Sequence, residues 1–178
     1  MANQELYDYL TQNFGKVTVL DNGYYYAQDS HRNEIYINPN ATTDVNLLVY
    51  YPGKGNAGNS ANGLRNQMKS SNPPDYCAVI SFDTNDPYRM LDKATTILND
   101  NNYNVSGLIT TSHSRSGGMG IERTADYLRR HPELCSSTIM ISNDGYNVDT
   151  QCGKDLQILI DNNVPIYLVS PSDTMSHS

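Results

Sequence analysis

The sequence predicts the α/β class: a mostly parallel, helix-flanked sheet with an antiparallel N-terminal start. Three observations carry this. Short apolar runs rich in Val, Ile, Leu and Tyr alternate with longer segments of helical pattern. The earliest runs are separated by a turn signal alone, so they pair as a hairpin. The run at 45–51, VNLLVYY, is apolar almost throughout, as a strand covered by helices on both faces must be.

The elements follow in order. Residues 16–20 and 23–27 form a β-like stretch broken at Asp21, Asn22 and Gly23, and 34–38 (EIYIN) adds another strand to this antiparallel portion. After 45–51 come four more buried-strand runs at 76–82 (YCAVISF), 106–111 (SGLITT), 137–142 (STIMIS) and 165–170 (PIYLVS). Helices are expected at 59–70, 87–99, 117–131 and 151–162, with Asp86 before Pro87 in the pattern of an N-cap followed by proline in the first turn. Strand–helix–strand crossovers of this length force parallel strands with right-handed connections. They place a ligand crevice at the carboxyl ends of the strands.

The chain has 178 residues, which suits a single domain spanning 1–178. Twelve Lys and Arg against nineteen Asp and Glu give a formal net charge of −7. The basic footprint of a nucleic-acid or anionic-membrane binder is missing, so neither partner is expected. No run approaches the ~18 apolar residues of a membrane span, and the first ten residues lack the basic and apolar regions of a signal peptide, which predicts a cytoplasmic chain. Three cysteines, Cys77, Cys135 and Cys152, lie far apart without metal-ligand spacing. No metal site and no disulfide framework is expected, with Cys135 and Cys152 left open as a pair. The triplet Tyr24, Tyr25 and Tyr26 reads as alternating faces of an early strand.

The segment after 106–111 carries the chemistry. It reads Ser112-His113-Ser114-Arg115-Ser116-Gly117-Gly118 and opens a helical pattern. A nucleophile on a sharp strand-to-helix turn needs small residues two before and two after it, and Ser112 and Ser116 are both small. The helix beyond points free backbone N–H groups at the site, where they stabilise a developing oxyanion. Ser114 is the candidate nucleophile and Ser116 its rival.

This segment resembles the Gly-His-Ser-x-Gly-Gly elbow of the α/β-hydrolase family, with Ser in place of Gly at 112 and 116. The resemblance runs roughly from Lys16 to Asp173 in the order of antiparallel start, buried strand, glycine loop, helix and successive strand–helix units. It implies a small, lidless, esterase-like serine hydrolase. It also implies oxyanion donors at the backbone of Lys54, in the glycine loop after 45–51, and of Arg115. An aspartate at the tip of a late strand is where the family commonly holds the acid of the triad, which points to Asp173; Asp144, after the preceding strand, is the alternative.

The base must be a histidine, and the chain has His31, His113, His131 and His177. His113 sits beside the nucleophile, His131 ends a helix, and His31 lies in an early polar turn. His177 keeps the order Ser, Asp, His, four residues after Asp173. In relatives a further strand and helix separate acid from base, so either this connection is short or the final strand and helix are lacking. No long insertion adjoins 137–142 to serve as a lid, so an open site for small or surface-presented esters is expected, with no cofactor.

Two other readings stand beside this one. Gly53, Gly55 and Gly58 spell a literal Gly-x-Gly-x-x-Gly, the dinucleotide fingerprint, with Asp83 as the nearest acidic residue after the next strand. A hydrolase-like scaffold without turnover is the other, since fold does not entail function.

Overall fold

The computed structural model describes residues 2–41, 43–52, 56–82, 89–113, 117–143 and 150–169. Its strands are β1 (Val17–Val19), β2 (Tyr25–Gln28), β3 (Glu34–Ile37), β4 (Asp44–Tyr51), β5 (Cys77–Ile80), β6 (Asn104–His113), β7 (Thr138–Asn143) and β8 (Ile166–Val169). Its α-helices are α1 (Gln4–Phe14), α2 (Asn62–Lys69), α3 (Arg89–Asp100), α4 (Gly117–Arg130) and α5 (Thr150–Asp161), with 3₁₀ turns at Asn56–Ala61 and Pro132–Ser137. The strands form one sheet in the order β1-β2-β3-β5-β4-β6-β7-β8. β1, β2 and β3 pair antiparallel, β3 meets β5 antiparallel, and β4 to β8 are parallel to one another. This is the predicted α/β architecture with its antiparallel start.

The hairpin turns where the sequence marks it. Gly23 adopts a φ of 92°, open to glycine and strained for most other residues. The Asn22 side chain accepts from Tyr24 N and donates to the carbonyls of Met68 and Ser70, each at 2.8 Å, which ties the hairpin to the end of α2. The tyrosine triplet behaves as strand residues: Tyr24 and Tyr25 are buried, and Tyr26 packs on Tyr36 with ring centroids 4.9 Å apart.

Two elements differ from expectation. α1 lies where no helix is predicted, although its signals are in the sequence. Asn3 caps Leu6 N at 3.1 Å, and Leu6 and Leu10, four apart, bury one face. The helix expected at 59–70 is a 3₁₀ turn up to Ala61 and α-helix only from Asn62. The expected cap at Asp86 and Pro87 lies outside the described residues.

The chain steps from β4 to β5 in one direction and from β5 past β4 to β6 in the other. With right-handed crossovers, opposite steps put their helices on opposite faces. The packing agrees: Ala78 and Ile80 of β5 bury with Met68 of α2, while the alternate residues Cys77 and Val79 join the cluster of Ala94 on α3 and Ala125 on α4. On the α2 face, no element among the described residues covers Ile139 and Tyr167, which are 39% and 57% exposed.

α2 is held to β3 by a buried ion pair. Glu34, 4% exposed, accepts from Arg65 Nη2 at 2.7 Å and Nε at 3.1 Å, and the hydroxyls of Tyr36 and Tyr26 point at the same carboxylate from 3.4 and 3.5 Å. Burial first, and then the Glu34 charge, push the Tyr26 phenol up to about 12 and Tyr36 further still. Burial alone pushes the Cys77 thiol up to about 12, so Cys77 is a packed apolar group and not a nucleophile. All three groups are raised above their unfolded values, about 10 for Tyr and about 8.5 for Cys. Their contribution to stability is therefore complete below those values and is lost as pH rises toward 12 and beyond. The urea midpoint is expected to fall steeply between pH 9 and 11.5, and less steeply in Tyr36→Phe; equal slopes in the two proteins would disprove this assignment.

Candidate active site

In an open α/β sheet the ligand crevice lies where the strand order reverses, outside the carboxyl ends of the two strands concerned. Here the reversal is between β4 and β6: the chain leaves β4 toward β5 on one side and returns to β6 on the other. Their ends are level, with Tyr51 paired to Ser112, and β7 continues the line with Ser142 opposite Ser112.

The strand gives way to helix across three residues, since β6 ends at His113 and α4 begins at Gly117. That is the context a nucleophile elbow requires. Two contacts index α4 on β6. A Cβ built on Gly120 would lie 2.9 Å from both Cβ and Oγ of Ser112, so the helix backbone rests on the strand end with no room for a side chain. One turn on, the buried Thr124 hydroxyl lies 2.7 Å from Thr110 Oγ1 and 2.6 Å from Gly120 O, and its single proton is shared between these two acceptors. Four helical residues rise about 6 Å and two strand residues about 6.6 Å, so the two contacts match step for step. Ser112 is buried at this contact, which agrees with the need for a small residue there.

The structure places the strand ends from which every sequence-predicted site segment departs. Ser114, Arg115 and Ser116 lie outside the described residues, between β6 and α4. So does Lys54, between Pro52 and the 3₁₀ turn after β4, and so does Asp144, after β7. Asp173 and His177 also lie outside them, after β8. In sequence, each of the seven comes after a strand of the parallel set.

The remaining histidines have structural surroundings. His31 is an exposed turn residue whose N–H donates to Asp29 Oδ1 at 2.9 Å. His131 follows α4 and stacks on Tyr127, with ring centroids 4.4 Å apart. His113 is half-buried, the last residue of β6, in register with Asn143. Cys135 is a half-buried free thiol, and the side chain of Cys152, left open as its partner by the spacing, lies outside what is described. Among the described residues no group of three or more His, Cys, Asp or Glu side chains is arranged to hold a metal ion, and no helix is long and apolar enough to cross a membrane. Sequence reasoning missed Tyr51, Thr110, Gly120, Arg123 and Thr124, the residues that seat α4; only their helical and strand spacing signals them.

The class that fold and strand-to-helix context define is α/β. No protein-family model matches the chain, and no curated protein does. Among solved structures it is similar to a bacterial heroin esterase (10% identity, TM-score 0.48, covering 87% of this chain and 73% of that one). It is similar also to an arylesterase (10%, 0.46, 94% and 81%) and to carboxyl esterase 2 of the mycorrhizal fungus Tuber melanosporum (8%, 0.45, 87% and 75%).

Proposed function

We propose that the chain is a serine hydrolase acting on carboxylic esters or thioesters. The observation that carries this reading is the coincidence of the strand-order reversal with the Ser-His-Ser-Arg-Ser-Gly-Gly segment, at the junction of β6 and α4. Ser114 attacks the carbonyl carbon while His177 takes its proton, and the negative charge that forms on the carbonyl oxygen is held by the backbone N–H groups of Lys54 and Arg115. Collapse of the intermediate breaks the ester C–O bond, and His177 returns the proton to the leaving alcohol. Water then repeats the sequence to release the acid and restore Ser114. Asp173, with Asp144 as its rival, orients His177 and stabilises its imidazolium. Ester alcohols leave more readily than amines, which favours esters over amides.

The glycine loop supports the dinucleotide reading less well. In that fingerprint the helix opens within the motif and receives the pyrophosphate at its N-terminus, whereas here the α-helix begins at Asn62, four residues past Gly58 and after a 3₁₀ turn. Turnover of p-nitrophenyl acetate and butyrate, abolished in Ser114→Ala, is the expected result. An inactive wild type whose melting temperature rises with NAD(H) would favour the dinucleotide reading instead.

A further inference from the structure

The sequence holds two Asn-Gly pairs, Asn22-Gly23 and Asn62-Gly63, and the fold sets them at opposite ends of α2. In such a pair the asparagine side chain cyclises onto the next backbone nitrogen with least hindrance, because glycine carries no side chain. Asn62 is the first residue of the helix; it is exposed, and its Oδ1 accepts from Arg65 Nη1 at 2.7 Å. Asn22 is half-buried at the other end, where its Nδ2 donates to Met68 O and Ser70 O, carbonyls past which no helical N–H follows.

The hairpin guards Asn22 against cyclisation. The attacking atom would be Gly23 N, whose N–H donates to Leu20 O at 2.8 Å. The carboxamide it would attack is held at both of its ends, Oδ1 by Tyr24 N–H at 2.9 Å and Nδ2 by the two α2 carbonyls. These bonds must break before nitrogen and carboxamide can meet.

We propose that Asn22 is a conformation-gated deamidation site: the closed hairpin keeps the amide, opening of the hairpin lets Gly23 N close on Asn22 Cγ, and the product unties α2. Gly23 N bonds Cγ and gives up its proton, the Cγ–Nδ2 bond breaks, and ammonia leaves with that proton. Water then opens the cyclic imide, at Cγ to give aspartate or at the backbone carbonyl carbon to give isoaspartate. Nothing is oxidised or reduced, and the reaction is independent of ester hydrolysis.

The product cannot restore the tie. A carboxylate donates no hydrogen bond, and here it would face two carbonyl oxygens at the negative end of the helix dipole. Asp21, next in the chain, adds a second negative charge. The same conversion at Asn62 places its charge at the positive end of the helix, beside Arg65. One chemistry therefore has opposite consequences at the two ends of α2.

The test incubates the full chain, folded and in urea below its unfolding midpoint, beside a synthetic peptide of residues 17–28, all at mildly alkaline pH. Peptide mass spectrometry reads the replacement of NH₂ by OH at each asparagine. Conversion of Asn22 in the folded chain is expected to be at least about 100-fold slower than in the peptide and to rise with urea, as gating by local opening requires. Asn22→Asp should lower Tm by about 4–8 °C, whereas Asn62→Asp should not lower it. Should Asn22→Asp not fold, Asn22→Ala, which loses the tie without adding a charge, supplies the Tm loss. Equal conversion in the folded chain and the peptide, no conversion in either, or an Asn22→Asp chain that melts with wild type would each overturn the proposal.

Discussion

Ser114→Ala is expected to remove ester hydrolysis almost completely, and His177→Ala to do nearly the same. Residues that act as one unit are not additive: once the nucleophile is gone the base has no proton to take, so the double variant loses little more than either single one. Losses on the order of 10⁶ in kcat attend the removal of a triad nucleophile elsewhere, and the residue that remains comes from binding and oxyanion donors. The same series separates the rivals. Full turnover in Ser114→Ala with loss in Ser116→Ala would move the nucleophile two residues on. Between Asp173→Asn and Asp144→Asn, only the true partner of the histidine should collapse the rate, because only its loss leaves the imidazole without orientation and without a counter-charge. His177 stands only four residues from Asp173, so His177→Ala tests the base and the short acid-to-base connection together.

Gly120→Ala is expected to damage both stability and activity, against the intrinsic preference of a helix. In a free helical position Ala is favoured over Gly by about 1 kcal/mol. At Gly120 the new Cβ would meet Ser112 Cβ at 2.9 Å, an atom fixed by the β6 backbone, so helix or strand must move. Overpacking of this kind costs about 1–3 kcal/mol, and a net loss of 2 kcal/mol lowers Tm by about 4–8 °C in a chain of this size. The displacement falls between the two elements that flank residues 114–116, where a shift near 1 Å costs about 100-fold in rate. Gly153 is the internal control. It lies in α5 with nothing within 4 Å of a built Cβ, so Gly153→Ala should stabilise by about 0.5–1 kcal/mol and leave kcat unchanged. The same sign at both glycines, read from thermal melts, would show that α4 does not rest on Ser112.

These contrasts show what a sequence makes legible. The strands are, because burial on both faces leaves an apolar run that few other structures need: the run at 45–51 becomes β4 with a single residue added at its start. The Asn-Gly turn is, because positive φ restricts the residue type. α1 escaped the sequence reading because its apolar face is sparse, two buried leucines among eleven residues, and a single N-cap asparagine is a common residue. The seat of α4 escaped for a different reason. Gly120 reads as one of three glycines at a helix start, and only the crossing of helix over strand distinguishes it from Gly117 and Gly118, which belong to the motif. Arg123 reads as a surface charge until the sheet places Tyr51 beneath it. Helical and strand periodicity tell which face a residue occupies; they do not tell which strand end that face meets.

The central claim is that the nucleophile of an acyl-transfer site stands between β6 and α4. Fluorophosphonate labelling of the wild-type chain, mapped by peptide mass spectrometry, tests it most directly. A single adduct on Ser114, absent from Ser114→Ala, is the result predicted; a wild type that is folded, inactive on p-nitrophenyl esters and unlabelled anywhere in residues 112–118 would contradict it.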